Sequence, residues 1–260
     1  MSLINNQIIS IGVAMHNNAE TIHRCLSSII NQKNLKRKIS IILANDNSSD
    51  NWKEKISDLL KDNRIIQLNL NNSDVVKTRN AINDYIINNL KEVVLICRLD
   101  ADDEYADNYV LSKIEEILDK ENPEAIVSGN YLRLNGKIIE RKNYAVKEFR
   151  NINYILKRLK LMSENVSDAE LPSCNLILTP KILKPYPNIK SGEDHYLLTY
   201  YLMNQDKYKI FLAENLLLTI FNLGGAVTTN NQKSDIYLNC RKELYKRAVD
   251  FSKDKNTKII

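Results

Sequence analysis

The chain has 260 residues, enough to bury a full core in one large α/β domain, and nothing in its pattern demands a second domain. Hydrophobic residues at 43% and charged residues at 27% exclude an intrinsically disordered chain. The net charge of +5, spread over Lys33, Lys36, Arg37, Lys38 and a basic tail, suits diphosphates or anionic lipid headgroups; without an aromatic-interleaved basic patch it points away from nucleic acid.

Residues Ile8 to Met15 form a near-continuous apolar run, predicted as a strand covered on both faces. Beyond His16-Asn17-Asn18, the apolar residues Ile22, Cys25, Leu26, Ile29 and Ile30 fall at three-and-four spacing, which predicts a helix with Asn18 as its N-cap. A second strand is predicted over 39–45, closing in the turn-formers Asp46-Asn47-Ser48-Ser49-Asp50, with a short helix over 52–60. A third strand over 65–70 leads through Asn71-Asn72-Ser73 to a helix over 75–89. A fourth over 93–99 stops at Asp100-Ala101-Asp102-Asp103.

Strand and helix alternate four times, which argues for a parallel sheet with helices on both faces. In such sheets ligands bind beyond the carboxyl ends of the strands. Three of those ends, His16 to Asn18, Asn45 to Ser48 and Asp100 to Asp103, are rich in Asp and Asn and are expected to line one crevice. Further along, the pattern predicts a helix over 107–120, a strand over 125–134, a charged helical stretch over 136–168 and a strand over 171–178. A helix opened by Gly192-Glu193-Asp194-His195 runs to Met203, and a basic amphipathic helix covers 233–253. The expected organisation is one domain over 1–225 with a C-terminal helical extension over 226–260.

The four cysteines, Cys25, Cys97, Cys174 and Cys240, are widely spaced without a C-x-x-C pair, which fits reduced thiols in a cytoplasmic protein better than a disulfide frame or a zinc site. Met1 to Gln7 lacks the charged start of a signal peptide, and no apolar run is long enough to span a bilayer. The expectation is a cytoplasmic protein whose membrane contact, if it has one, is peripheral.

Asp100, Asp102 and Asp103 stand together at the end of an apolar strand. Carboxylates that close repel one another unless a cation or a set of donors compensates, so a divalent-metal site and a polar loop with Asp as helix cap are both open on the residues alone. His16, His23 and His195 do not form a ligand set by spacing, and Gly192-Glu193-Asp194-His195 taken by itself also reads as a helix start with acids favoured by the dipole.

Three stretches in order are more specific: residues Ile11 to Thr21 (IGVAMHNNAET), Ile41 to Asp50 (IILANDNSSD) and Leu99-Asp100-Ala101-Asp102-Asp103. Together they resemble the GT-A fold glycosyltransferases of family 2, whose first strand ends in a Pro-x-Tyr-Asn-like stretch, second in Asp-Asp-x-Ser-x-Asp and fourth in Asp-x-Asp. The resemblance covers roughly residues 7–225 and implies a Rossmann-like, mostly parallel sheet flanked by helices. It also implies transfer of a sugar from a nucleotide diphosphate donor, a UDP-sugar by family habit, to a hydroxyl of a saccharide or lipid-linked saccharide. The product would be inverted at the anomeric carbon, in the assembly of cell-surface polysaccharide or glycoconjugate.

Residue by residue, the resemblance implies that Asp46 bonds the donor base, with Ala14, His16 and Asn18 at the neighbouring wall. Arg79 approaches base and ribose, Asp100 faces the ribose with Ala101 beside it, and Asp102 binds the Mn²⁺ or Mg²⁺ that bridges the diphosphate. Asp194 is the implied general base, and Glu193, His195 and Asp103 touch the acceptor or support the site. The sequence differs from the family pattern at Ala14-Met15-His16, at Asn45, and at Phe221-Asn222-Leu223-Gly224-Gly225, where a His often precedes a Pro-Gly-Ser turn. A sugar nucleotidyltransferase would want a Gly-rich basic loop after the first strand, and His16-Asn17-Asn18-Ala19-Glu20 is not one. A catalytically silent nucleotide-sugar binder or scaffold is the competing class. The basic tail is compatible with a homodimer contact or with docking on an anionic membrane surface.

Overall fold

The computed structural model describes residues 3–134, 136–140, 145–166, 169–222 and 235–260. Strand β1 (Ile8–Met15) lies at its centre with neighbours on both edges, and its side chains alternate between two faces. Ile9, Ile11 and Val13 join the core shared with α1 (Ile22–Ile30) and with α4 (Val110–Glu121). On the opposite face Gly12 and Ala14 meet α3 (Val75–Asn89), and a Cβ at Gly12 would stand 2.6 Å from Ile82 Cγ2, so only glycine lets this helix settle on the strand. Each of these fully buried Ile and Val side chains contributes about 1.5–3 kcal/mol of transfer free energy.

The sheet continues through β2 (Lys38–Asp46), β3 (Ile65–Leu70) and β4 (Val93–Arg98), which pair in parallel in the order β3-β2-β1-β4. Because β2 lies on one side of β1 and β4 on the other, strand order reverses at β1 and opens a crevice beyond the strand ends. Beyond β4 come β8 (Leu176–Leu178), β6 (Ala125–Leu134), β9 (Ile210–Asn222) and β5 (Glu104–Tyr105), with β7 (Lys137–Glu140) on the side of β6. Strands β6 and β9 pair in parallel, and β8 runs antiparallel to both its neighbours. A second core joins α5 (Ile152–Ser163), α6 (Glu193–Met203) and α7 (Asp235–Lys253) through Phe149, Leu159, Leu198, Leu202, Leu244 and Phe251. The mixed α/β architecture with a mostly parallel first half is the one expected.

Several local expectations are corrected. Asn18 is not the N-cap of α1, which begins at Ile22 with Thr21 in that place; the Asn18 amide oxygen accepts from the His16 N–H instead. The stretch over 136–168 is helical only in its second half, where the Asn151 side chain caps α5; before it lie β7 and a 3₁₀ turn over Val146–Arg150. The strand expected over 171–178 is a 3₁₀ turn (Ser173–Asn175) followed by the short β8. The short helix expected over 52–60 is one turn, α2 (Trp52–Lys55), and then a 3₁₀ turn. Strand β9 was not predicted, because Glu214 and Asn215 interrupt its apolar run; there the register against β6 slips. The expected boundary between 225 and 226, the Leu223-Gly224-Gly225 stretch and residues 233 and 234 lie outside the described residues. No helix among the described residues is long and apolar enough to cross a membrane.

Candidate active site

The loops after β1, β2 and β4 meet beyond the sheet, as the Asp/Asn pattern predicts. Asn17, held at φ 54°, accepts on its amide oxygen from the Ser49 N–H at 2.8 Å, and the Asp50 carboxylate accepts from the Ala19 N–H at 2.7 Å. His16 is exposed, with Nδ1 2.7 Å from the Asp46 carbonyl oxygen, so the first two loops are laced together at the crevice wall beside Ala14.

Asp46, the last residue of β2, is 5% exposed, and its carboxylate accepts from the backbone N–H groups of Asn72, Ser73 and Asp74 and from the Thr78 hydroxyl. Burial pushes this carboxyl up, but the four donors outweigh it and hold it below the usual range. They fill the four lone-pair sites of a carboxylate, so within this structure Asp46 braces the loop that leads into α3.

Arg79, one turn into α3, donates Nη2 to Asp100 Oδ1 at 2.9 Å and Nη1 to Glu193 Oε1, and stands over the Tyr186 ring. Its neighbour Asn80 exchanges two hydrogen bonds with the Tyr186 backbone. Arg98, at the end of β4, donates Nη2 at 3.1 Å both to Asp100 Oδ2 and to Asp194 Oδ2. The result is a continuous chain of ion pairs, Glu193–Arg79–Asp100–Arg98–Asp194, that binds the start of α6 to α3 and to the Asp100 loop. Both arginine side chains are 11% exposed, and Arg79 Nε and Arg98 Nε and Nη1 find no partner among the described residues. Buried donors of this kind are satisfied by water or by a ligand.

Charges distribute unevenly over the acids. Burial pushes Asp100 and Asp194 up; for Asp100 the two arginines prevail, and for Asp194 His195, Arg98 and Arg79 prevail, so both carboxyls are held low. Glu193 is raised, because burial exceeds the pull of Arg79. Asp103, 1% exposed, is raised far above the carboxylate range by burial and by its neighbours Asp102 and Asp100; its Oδ1 accepts from the Asn222 N–H at 2.8 Å. It therefore ties the end of β9 to the Asp100 loop. Ala101 is buried beside it, and His195 is 7% exposed on α6.

Asp102 is different. It is half-buried and takes no ion pair among the described residues, and burial together with the charge on Asp100 pushes it up to about 6. A cation beside it would relieve that penalty. Among the described residues no group of three or more His, Cys, Asp or Glu could hold a metal ion, so an ion here would be held by Asp102 with phosphate oxygens and water, which is how Mg²⁺ and Mn²⁺ are commonly bound. The donor set present fits that mode. Arg24 supports the loop by donating to the Asp102 carbonyl oxygen and pairing with Glu104.

Two residues at the site escaped the sequence analysis. Arg98 had a signal: an arginine at the end of the buried run Val93–Cys97 must be paired. Ser173, whose Oγ donates to Asp194 Oδ2 at 2.8 Å, had none, since a serine in an apolar stretch carries no positional information.

The sequence profile described as glycosyl transferase family 2 matches residues 10–174. Among solved structures, S. aureus TarS 1-349 in complex with UDP-GlcNAc superposes with a TM-score of 0.63 at 13% identity, over 94% of this chain and 72% of that one. S. aureus TarS 1-349 alone gives 0.62 at 14%, over 95% and 72%. The mannosyltransferase PcManGT from Pyrobaculum calidifontis in complex with GDP-Man and Mn2+ gives 0.58 at 11%, over 96% and 65%. At such identities the likeness is one of fold. No curated protein sequence matches the chain. With the three loops in order on a sheet shared by these structures, and a profile match over more than half of its length, the chain belongs to glycosyl transferase family 2 and has the GT-A fold.

Proposed function

We propose that the protein transfers a sugar from a nucleotide diphosphate donor, a UDP-sugar in first place, to a hydroxyl of a saccharide or lipid-linked saccharide with inversion, in the assembly of surface polysaccharide or glycoconjugate. The ion-pair chain from Glu193 to Asp194, standing beside Asp102, which has no ion pair among the described residues, carries this reading. Structures of similar fold that hold UDP-GlcNAc or GDP-Man with Mn2+ support it.

In this reading the nucleotide lies in the crevice between the ends of β1, β2 and β4. Ala14, His16 and Asn18 wall the base, Asp46 acts through the loop it braces, and Arg79 and Asp100 face the ribose with Ala101 beside them. Asp102 would hold Mn²⁺ or Mg²⁺, which neutralises charge on the leaving diphosphate. Asp194 accepts the proton of the acceptor hydroxyl while its oxygen bonds to the anomeric carbon and the bond to the diphosphate breaks. Glu193 and Arg79 keep the start of α6 against the donor loop, Asp103 supports that loop from beneath, and His195 stands next to the base.

The four cysteines are free thiols, which supports a reducing, cytoplasmic setting. The tail helix α7 spends Tyr237, Leu244, Ala248 and Phe251 inside the fold, so a membrane or dimer contact would fall to its exposed face with Lys242, Lys246 and Lys253.

The test is to incubate the protein with UDP-glucose, UDP-GlcNAc and GDP-mannose, with and without Mn²⁺, and measure release of the nucleoside diphosphate. Metal-dependent release from one donor that is lost in Asp194→Asn is expected. Release from none, or release indifferent to Asp194→Asn, would leave the silent binder as the better reading.

A further inference from the structure

Among the described residues Asp194 takes three hydrogen bonds, and their distribution over its two oxygens is unequal. There Oδ1 accepts only from the His195 N–H, at 2.8 Å, a contact set by the helix start itself. Oδ2 accepts from both Arg98 Nη2 at 3.1 Å and Ser173 Oγ at 2.8 Å. A carboxylate has about two lone-pair sites on each oxygen. Oδ2 is therefore filled, and the one remaining site is on Oδ1.

The serine is presented by a rigid support. It opens the turn Ser173–Asn175, whose last residue, 2% exposed, donates Nδ2 to the Gly129 carbonyl oxygen at 2.9 Å and accepts on Oδ1 from Thr219 Oγ at 2.8 Å. Gly129 lies on β6 and Thr219 on β9, so the turn is fastened to two paired strands of the sheet. On the other side, the carboxylate belongs to α6, which Gly192 opens with φ 77°, a conformation that favours glycine. Sheet and helix thus hold donor and acceptor from opposite sides. Arg98 adds a second restraint, because the same Nη2 also bonds Asp100 Oδ2.

We propose that Ser173 is a positioning residue for the reaction: with Arg98 it saturates Asp194 Oδ2, fixes the plane of the carboxylate, and reserves Oδ1 as the atom that takes the acceptor's proton. The proposal rests on the reading of Asp194 as general base. A hydrogen bond to the charged form also favours that form, so Ser173 acts in the same direction as the facing Arg98, Arg79 and His195 and against Asp100 and Glu193.

The experiment compares wild type with Ser173→Ala, Ser173→Cys, Ser173→Thr and Asp194→Asn. The first readout needs no donor: the ¹³C carboxyl chemical shift of Asp194, assigned by its absence in Asp194→Asn, is read at pH 7 in the ligand-free protein. It should move away from the wild-type value in Ser173→Ala and Ser173→Cys and return in Ser173→Thr. The second is UDP or GDP release from the three nucleotide sugars named above with Mn²⁺. Loss of one hydrogen bond to a charged group should lower kcat about tenfold, with donor KM within about twofold and the acid limb moved toward neutral pH.

An unchanged ¹³C shift and unchanged kcat in Ser173→Ala, or in Ser173→Cys if the alanine variant does not fold, overturns the proposal. So does a loss of kcat that threonine fails to restore. Full turnover in Asp194→Asn would overturn the reading of the base, a different failure that the ¹³C shift separates from this one.

Discussion

Removing Arg79 should unbalance the ion-pair chain more than any other single change. Its guanidinium is 11% exposed and faces Asp100 and Glu193, whose side chains are 20% and 7% exposed. Burial pushes both carboxyls up, and the arginine opposes this in each. In Arg79→Ala the buried Glu193 loses its partner and Asp100 keeps only Arg98, and breaking a buried pair by removing one partner costs about 3–5 kcal/mol. For a chain of this size the thermal midpoint should fall by about 10 °C. The deficit should depend on pH with a definite sign. Without Arg79 the folded-state pKa of Glu193, already raised, rises further and that of Asp100 rises from its depressed value, so ionisation of the two acids favours folding less than in wild type at high pH and makes no difference once both are protonated. The deficit is then largest near pH 8 and shrinks as the acids protonate toward pH 4. Arg79→Lys should recover only part of it, because one ammonium cannot reach both partners with the same geometry. The assay is urea unfolding at pH 8 and at pH 5. A deficit below about 1 kcal/mol at pH 8 would refute the reasoning, as would one equal at the two pH values.

Asp46→Asn should destabilise the protein by about 2–4 kcal/mol at pH 7 through loss of charge-assisted bonds to the 72–74 loop. The Asp46 carboxyl is held low, so its contribution is full above the unfolded value of 3.8 and disappears as pH falls through the folded value; urea midpoints of variant and wild type should converge in acid. Asp102 is raised to about 6, so its ionisation costs stability above that pH: Asp102→Asn should be more stable than wild type at pH 8 and equal to it near pH 3, by thermal unfolding. Gly192→Ala meets no clash, its Cβ standing 3.5 Å from His195 Cδ2, but places alanine at φ 77°. It should lose about 1–2 kcal/mol and displace Glu193 and Asp194, read as lowered nucleoside diphosphate release.

The first half of the fold was legible because its strands are buried on both faces and its helices are amphipathic, so period and turn residues agree from Ile8 to Arg98. Legibility fell where side chains rather than periodicity set the backbone. Pro172 and the anchored Asn175 turn an apolar stretch into a 3₁₀ turn, and the slip at Glu214 and Asn215 hides β9. At the site, the sequence supplied the acids and left out what they touch. Nothing in residues 99–103 says that Asp100 is shared by two arginines, that Asp103 is buried with its carboxyl pushed up, or that Asp102 has no ion pair among the described residues, since those distinctions arise from elements up to 119 residues away. Asp46 carries the same lesson, because its partners lie on the next loop and their number decides what it has left to offer.

The most direct test of the account is isothermal titration of UDP and GDP into the protein with and without Mn²⁺, repeated on Asp102→Ala. The account predicts that one diphosphate binds tightly with Mn²⁺ and that the binding weakens strongly without the metal or in the variant. Equal binding in all three conditions, or binding of neither nucleotide with Mn²⁺ present, would contradict the assignment of this crevice as a metal-assisted donor site.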